Sequence, residues 1–191
     1  MKTSLGAKTL AFPTPAWVVG TYDAAGKANG ATIAWGGICC SNPPALAVSL
    51  RAATHTHGAI LHSKAFTVNI PAQAQASLVD YFGIVSGRDV DKFAAAGLTP
   101  ERSTLVDAPL IAEFPVVVEC ALLQVVEIGL HTQFIGEIKD IKAEAFVLTP
   151  DGKIDIEKAG TVLFAPNTRT YHGLGPLLGP AFSIGGAHKG A

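Results

Sequence analysis

The sequence predicts a mainly β domain of antiparallel strands, a barrel or a sandwich, with a few inserted helices. Three observations carry that reading. Short runs rich in β-branched and aromatic residues recur between turn signals. Strand-like and helix-like segments do not alternate as a parallel doubly wound sheet requires. The last third holds two long strand-like runs, PVVVECALLQVVEIG (115–129) and HTQFIGEIKDIKAEAF (131–146).

Each element follows from local chemistry. AWVVGTYD (16–23) and NGATIAW (29–35) flank the turn AAGK and read as a hairpin. After Asn42-Pro43-Pro44, ALAVSL (45–50) is a strand. THGAILHS (56–63) reads as one or two helical turns with Thr56 as N-cap. AFTVNI (65–70) is a strand stopped by Pro71. AQASLVDYFGIVSG (74–87) spaces Leu78, Val79 and Phe82 helically, and RDVDKFAAAGL (88–98) is a second helix that Gly97 ends. TPERSTLVDAPLI (99–111) reads as loop. KAEAF (142–146), at the end of the last long strand, is also compatible with helix. TPDGKID holds a turn, and the Gly- and Pro-rich tail from Gly173 onward is irregular.

With 191 residues the expectation is one domain, 1–191. The chain is 49% hydrophobic and only 15% charged, so apolar surface is expected to be hidden in a subunit interface or around a large ligand. A net charge of −1 without a basic run excludes a nucleic-acid footprint. Residues 28–50 carry charge-free apolar sequence long enough to suggest a membrane span. Gly36-Gly37 and Asn42-Pro43-Pro44 interrupt it, so no membrane partner is expected. Three cysteines and no secretory leader point to a cytoplasmic protein.

Several residues could carry chemistry. Cys39-Cys40 is not a CxxC pair, and the burial bias of free cysteine favours two small buried hydrophobes. His55-x-His57 would place two imidazoles on one face of a strand, but no third ligand stands at convincing spacing, so no metal site is expected. Arg51-Ala-Ala-Thr-His-Thr-His joins a strand to a helix start. Arg51, Thr54, Thr56 and the free N–H groups there suit a phosphate, although ordinary helix capping explains the threonines as well. Ser86-Gly87-Arg88-Asp89-Val90-Asp91-Lys92 is a second anion candidate with two cations, against a plain solvated charged face. Neither a Rossmann glycine fingerprint nor a Walker A sequence is present. Trp35 before the glycine pair is either a core residue or the wall of a planar ligand site.

Taken together, NGATIAWGGICCSNPPALAVSLR, THTHG, AFTVNIP, SGRDVDKFAAAGLT and GLHTQFIGEI resemble the flavin reductase-like, FMN-binding split-barrel family, which includes the flavoredoxins. The resemblance runs from GAKTLAFPTPAWVVGTYD to VLFAP. It implies a six-stranded antiparallel split β-barrel with flanking helices, a homodimer, and FMN near the subunit interface. It implies that Asn29, Thr32 and Trp35 border the flavin. Cys39 and Cys40 would lie on a loop lining the isoalloxazine ring, and Leu50 and Arg51 would close one side. Thr54 and Thr56 would take the phosphate, with Ser86 reaching in and Lys92 as its cation. His131 and Phe164 would come from the late strands, near the ring or the nicotinamide approach. Gly30-Ala31 departs from relatives, which often carry bulkier residues there. The implied activity is oxidoreduction through FMN, with NAD(P)H or a redox protein as donor and free flavin, an iron centre or a redox protein as acceptor. No protein residue is required as a catalytic nucleophile or base, with His131 the one candidate to assist. The competing readings are a flavin-binding protein without turnover, a metal- or haem-binding barrel using His55, His57 or His131, and a structural dimer without cofactor.

Overall fold

A computed structural model describes residues 1–188. Seven strands form one antiparallel sheet in the order β3-β2-β6-β9-β10-β5-β4. They are β2 (Trp17–Tyr22), β3 (Ala28–Ile33), β4 (Gly36–Ser41), β5 (Pro44–Arg51), β6 (Ala65–Ile70), β9 (Val116–Ile128) and β10 (His131–Ala143). The edge strands β3 and β4 are consecutive in the chain, joined only by Ala34 and Trp35. Seven strands laid flat would separate the two edges by about 29 Å. The link between Ile33 and Gly36 reaches about 11 Å at most. The sheet therefore curls on itself into a split barrel. The sequence reading of six strands becomes seven because Gly36–Ser41, read as a loop, pairs with β5.

Smaller elements decorate the barrel. The short strands β1 (Thr14–Pro15), β11 (Leu163–Ala165) and β12 (Thr170–His172) make a second sheet. The segment expected as loop contains a small hairpin, β7 (Pro100–Arg102) against β8 (Pro109–Ile111). The helices are α1 (His55–Ser63), α2 (Ala76–Ile84), α3 (Lys92–Ala96) and α4 (Ile156–Ala159). The second predicted helix begins at Lys92 rather than Arg88, because Asp91 caps it by accepting from the Ala94 N–H at 3.1 Å. KAEAF divides: β10 ends at Ala143 and a 3-10 turn covers Ala145–Val147.

Strand β2 explains the double-sided packing. Val19 faces the barrel interior with Val48, Phe66, Val68, Cys120 and Phe134. Val18 faces the other way, onto Val79 and Phe82 of α2 and Phe93 of α3. Neighbours in a strand point to opposite faces, so a strand covered on both sides reads as continuously apolar. Cys120 is sealed inside, where burial foremost and the Glu119 charge push its thiol up to about 12.

Helix α1 is capped by Thr54, not by the expected Thr56. Thr54 is extended (φ −76°, ψ 147°), and its hydroxyl accepts from the His57 N–H at 3.3 Å. Thr54→Ala should lower stability by about 1 kcal/mol, whereas Thr54→Ser should retain most of it. Urea midpoints of the two variants check this.

Candidate functional site

A cleft of about 360 Å³ opens between β3, the start of α1 and the α2–α3 connection. That volume lies within the range of roughly 300–1,000 Å³ usual for small-molecule sites. One wall is polar: Asn29, Thr54, His55, Thr56, Ser86, Arg88 and Lys92. The other is largely apolar: Ala31, Leu50, Phe82, Ile84 and Val85.

The polar end is assembled from three segments. The helix α1 leaves the N–H groups of His55 and Thr56 without intrahelical acceptors, and its dipole favours an anion there. The Arg88 guanidinium stands beside this terminus, donating to the Ala53 carbonyl at 2.8 Å. Ser86 accepts from the Arg88 N–H at 3.2 Å, which shapes the turn that carries both. Across the cleft, Lys92 is only 5% exposed. Its Nζ donates to the Gly30 carbonyl at 2.8 Å and the Phe82 carbonyl at 2.9 Å, leaving one of three protons free. Burial pushes its ammonium down to about 8, so the charge is retained at neutral pH.

Asn29 ties the walls together. Its Nδ2 donates to the Thr56 hydroxyl at 2.8 Å, while its buried Oδ1 has no partner. Gly87 packs directly over that oxygen, where a Cβ would collide with it. Gly30 is required for a similar reason: a Cβ there would lie 2.6 Å from the Phe82 ring. The departure at Gly30-Ala31 is thus matched by the aromatic that fills the space.

The cleft gathers seven of the predicted site residues: Asn29, Thr32, Leu50, Thr54, Thr56, Ser86 and Lys92. Their roles differ in detail. The one hydroxyl proton of Thr54 goes to the Arg51 carbonyl at 2.9 Å, so this side chain caps the helix and has no proton left for a phosphate. Thr32 donates to the Val79 carbonyl and holds β3 against α2. Gly87 and Arg88, part of the second anion candidate, line the cleft as well, and Phe82, expected only as an apolar helix residue, joins them. The Ser86-Gly87-Arg88 run was the available signal for the first two.

The remaining predicted residues lie elsewhere. Trp35 and Cys39 line a separate concavity of about 350 Å³ with Gly36, Gly37, Ile38, Ala47, Ser49 and Gln133. Cys39 and Cys40 are exposed on strand β4, neither buried nor on a loop. The cause is topological: β4 is an edge strand, and a register shift between Ile38 and Cys40 leaves Cys39 without a partner on β5. Arg51 and His131 pair across β5 and β10, outside the cleft lining. Phe164 sits in the second sheet, its ring 5.6 Å from that of Tyr171.

The histidine pair separates as well. His55-x-His57 lies on a helix, not a strand, and its two rings diverge. His55 Nε2 is 3.4 Å from the Asp23 carboxylate. Burial works against that carboxylate, but the Lys27 and Ala25 amides and His55 hold it below its ordinary value. His57 Nε2 is 2.9 Å from the Thr132 hydroxyl. Among the described residues no group of three or more His, Cys, Asp and Glu side chains is placed to hold a metal ion. Among them, too, no helix is long and apolar enough to cross a membrane.

Residues 9–151 match the family described as a flavin reductase like domain. The chain is similar to the flavoredoxin of Desulfovibrio vulgaris (Miyazaki F), with 51% identity, a TM-score of 0.93, and coverage of 97% of this chain and 100% of that one. It is similar to the flavoredoxin from Methanosarcina acetivorans at 29% identity and a TM-score of 0.92, covering 98% and 99%. It is 34% identical over 102 residues to the high molecular weight rubredoxin of Moorella thermoacetica, covering 52% of this chain and 43% of that protein. The match covers 48% and 43% of the length of two of the curated relatives.

Proposed function

Because the chain belongs to the flavin reductase-like domain family, we propose that it is an oxidoreductase that holds FMN in the cleft between β3, α1 and the α2–α3 connection. The observation that carries this reading is the chemistry of the cleft's two ends. One end offers a helix N-terminus, Arg88 and the buried Lys92 to a single anionic group. The other offers the exposed Ile84 and the half-buried Val85 to an apolar body, with Leu50 and Phe82 buried among the lining residues. Between them the buried Asn29 Oδ1 lies unpartnered beneath Gly87.

When bound, FMN supplies hydride and single-electron transfer. The chain's own residues bind and orient. The His55 and Thr56 N–H groups and the Arg88 fork hold the phosphate. Lys92 adds charge from beneath while fixing Gly30 and Phe82. Asn29 and Thr56 hold α1 against β3. A second copy of the chain is the proposed partner: Ile38 on edge strand β4 is 70% exposed, and Leu123, Ile128 and Leu130 around the β9–β10 hairpin are 54%, 55% and 65% exposed. A redox protein or free flavin is the proposed acceptor.

The electron donor is tested by mixing FMN-loaded protein anaerobically with NADH or NADPH and following absorbance at flavin wavelengths. Prompt bleaching is the expected result for a nicotinamide-dependent reductase. Bleaching only when a reduced redox protein is added assigns a carrier role instead. No bleaching with any donor contradicts the oxidoreductase reading.

A further inference from the structure

The α2–α3 connection and the β5–α1 connection meet at the polar end of the cleft. There the Arg88 guanidinium donates to the Ala53 carbonyl at 2.8 Å. Both residues line the cleft, as do Ser86 and Gly87 beside one and Thr54 beside the other. The bond therefore ties the two connections together beside the α1 terminus, where the FMN reading places the phosphate. Two further features fix this junction. The Ser86 hydroxyl accepts from the Arg88 N–H, and Gly87 rests on the buried, unpartnered Asn29 Oδ1. Asn29 is 4% exposed, so the loop is seated against the barrel wall.

We infer that Arg88 is a specificity-determining residue that makes the site select a flavin mononucleotide over a dinucleotide. The inference rests on the FMN reading above. A terminal phosphate is a dianion with three free oxygens, and it can take the helix N–H groups and the Arg88 fork together. The inner phosphate of a dinucleotide carries one charge and continues into a second phosphate and a nucleoside. With its inner phosphate at the α1 terminus, that extension competes for the space that the Arg88–Ala53 bond holds closed. Removing the side chain opens the end and withdraws the charge that rewards a terminal dianion.

Titration of flavin-free protein with FMN, FAD and riboflavin, read by flavin fluorescence, tests this. Wild type should bind FMN at least about tenfold tighter than FAD, the scale of one charge-assisted hydrogen bond. Arg88→Ala should lose about tenfold in FMN affinity, leave riboflavin affinity unchanged, and bring the FMN-to-FAD ratio near one. Arg88→Gln, which keeps a donor but no charge, should fall between. Unchanged riboflavin binding shows that the variant is folded. Equal FMN and FAD affinity in wild type, or an unchanged ratio in Arg88→Ala, overturns the inference. Failure of wild type to bind any of the three flavins overturns the FMN reading itself.

Discussion

Lys92→Met should weaken FMN binding by about ten- to a hundredfold, the range of one hydrogen bond to a charged group. The methionine keeps the apolar stem but leaves the Gly30 and Phe82 carbonyls without their donor. The charge also gives the effect a pH signature. Burial pushes the ammonium from 10.5 down to about 8 in the free protein. A bound dianion favours the protonated amine, so FMN affinity should fall as pH rises above 8. Lys92→Met should remove that fall. The stability of the free protein should move the other way. Between about pH 8 and 10 the unfolded lysine holds a proton that the folded one has released, so folding strengthens with pH. Fluorescence titrations and urea melts over pH 6.5–9.5 would read both signs, and parallel movement of the two would contradict this role.

Phe82→Ala should destabilise the fold by about 3–5 kcal/mol. Its ring is 1% exposed, packs edge-on to Phe93 with centroids 5.5 Å apart, and fills the space over Gly30. Lys92 Nζ lies 5.6 Å from its centroid, adding a cation–π contact. Gly30→Ala should cost about 1–3 kcal/mol by overpacking against the same ring. The double variant should therefore cost less than the two singles together, since the new methyl enters the void left by the ring. Urea unfolding of the four proteins measures the coupling, and strict additivity would mean that the two residues do not share one space.

The strands were legible because their periods are local. The hairpin of β2 and β3 pairs Trp17 with Ile33 and Tyr22 with Ala28, close to the expected arms. What was missed depended on contacts between distant segments. Two threonines stand at the start of α1, and only the fold shows that Asn29 occupies Thr56 and leaves the cap to Thr54. Prolines at 100 and 109 disguised the β7–β8 hairpin as loop, yet Pro100 and Pro109 both begin short strands at its ends.

The site divided along the same line. Residues on β3, α1 and the α2–α3 connection converge because Gly30 and Gly87 let backbone and ring approach closely. Trp35 links β3 to β4, and Cys39 and Cys40 lie on β4, which pairs with β5, so none of the three lines this cleft. Arg88 was visible as a cation beside Lys92, but its contact with Ala53 spans 35 residues and leaves no local pattern.

A crystal structure of the protein grown with FMN tests the central claim most directly. The phosphate should lie within hydrogen-bond distance of the His55 and Thr56 N–H groups and of Arg88. A phosphate bound anywhere else, such as the concavity lined by Trp35 and Cys39, would contradict it.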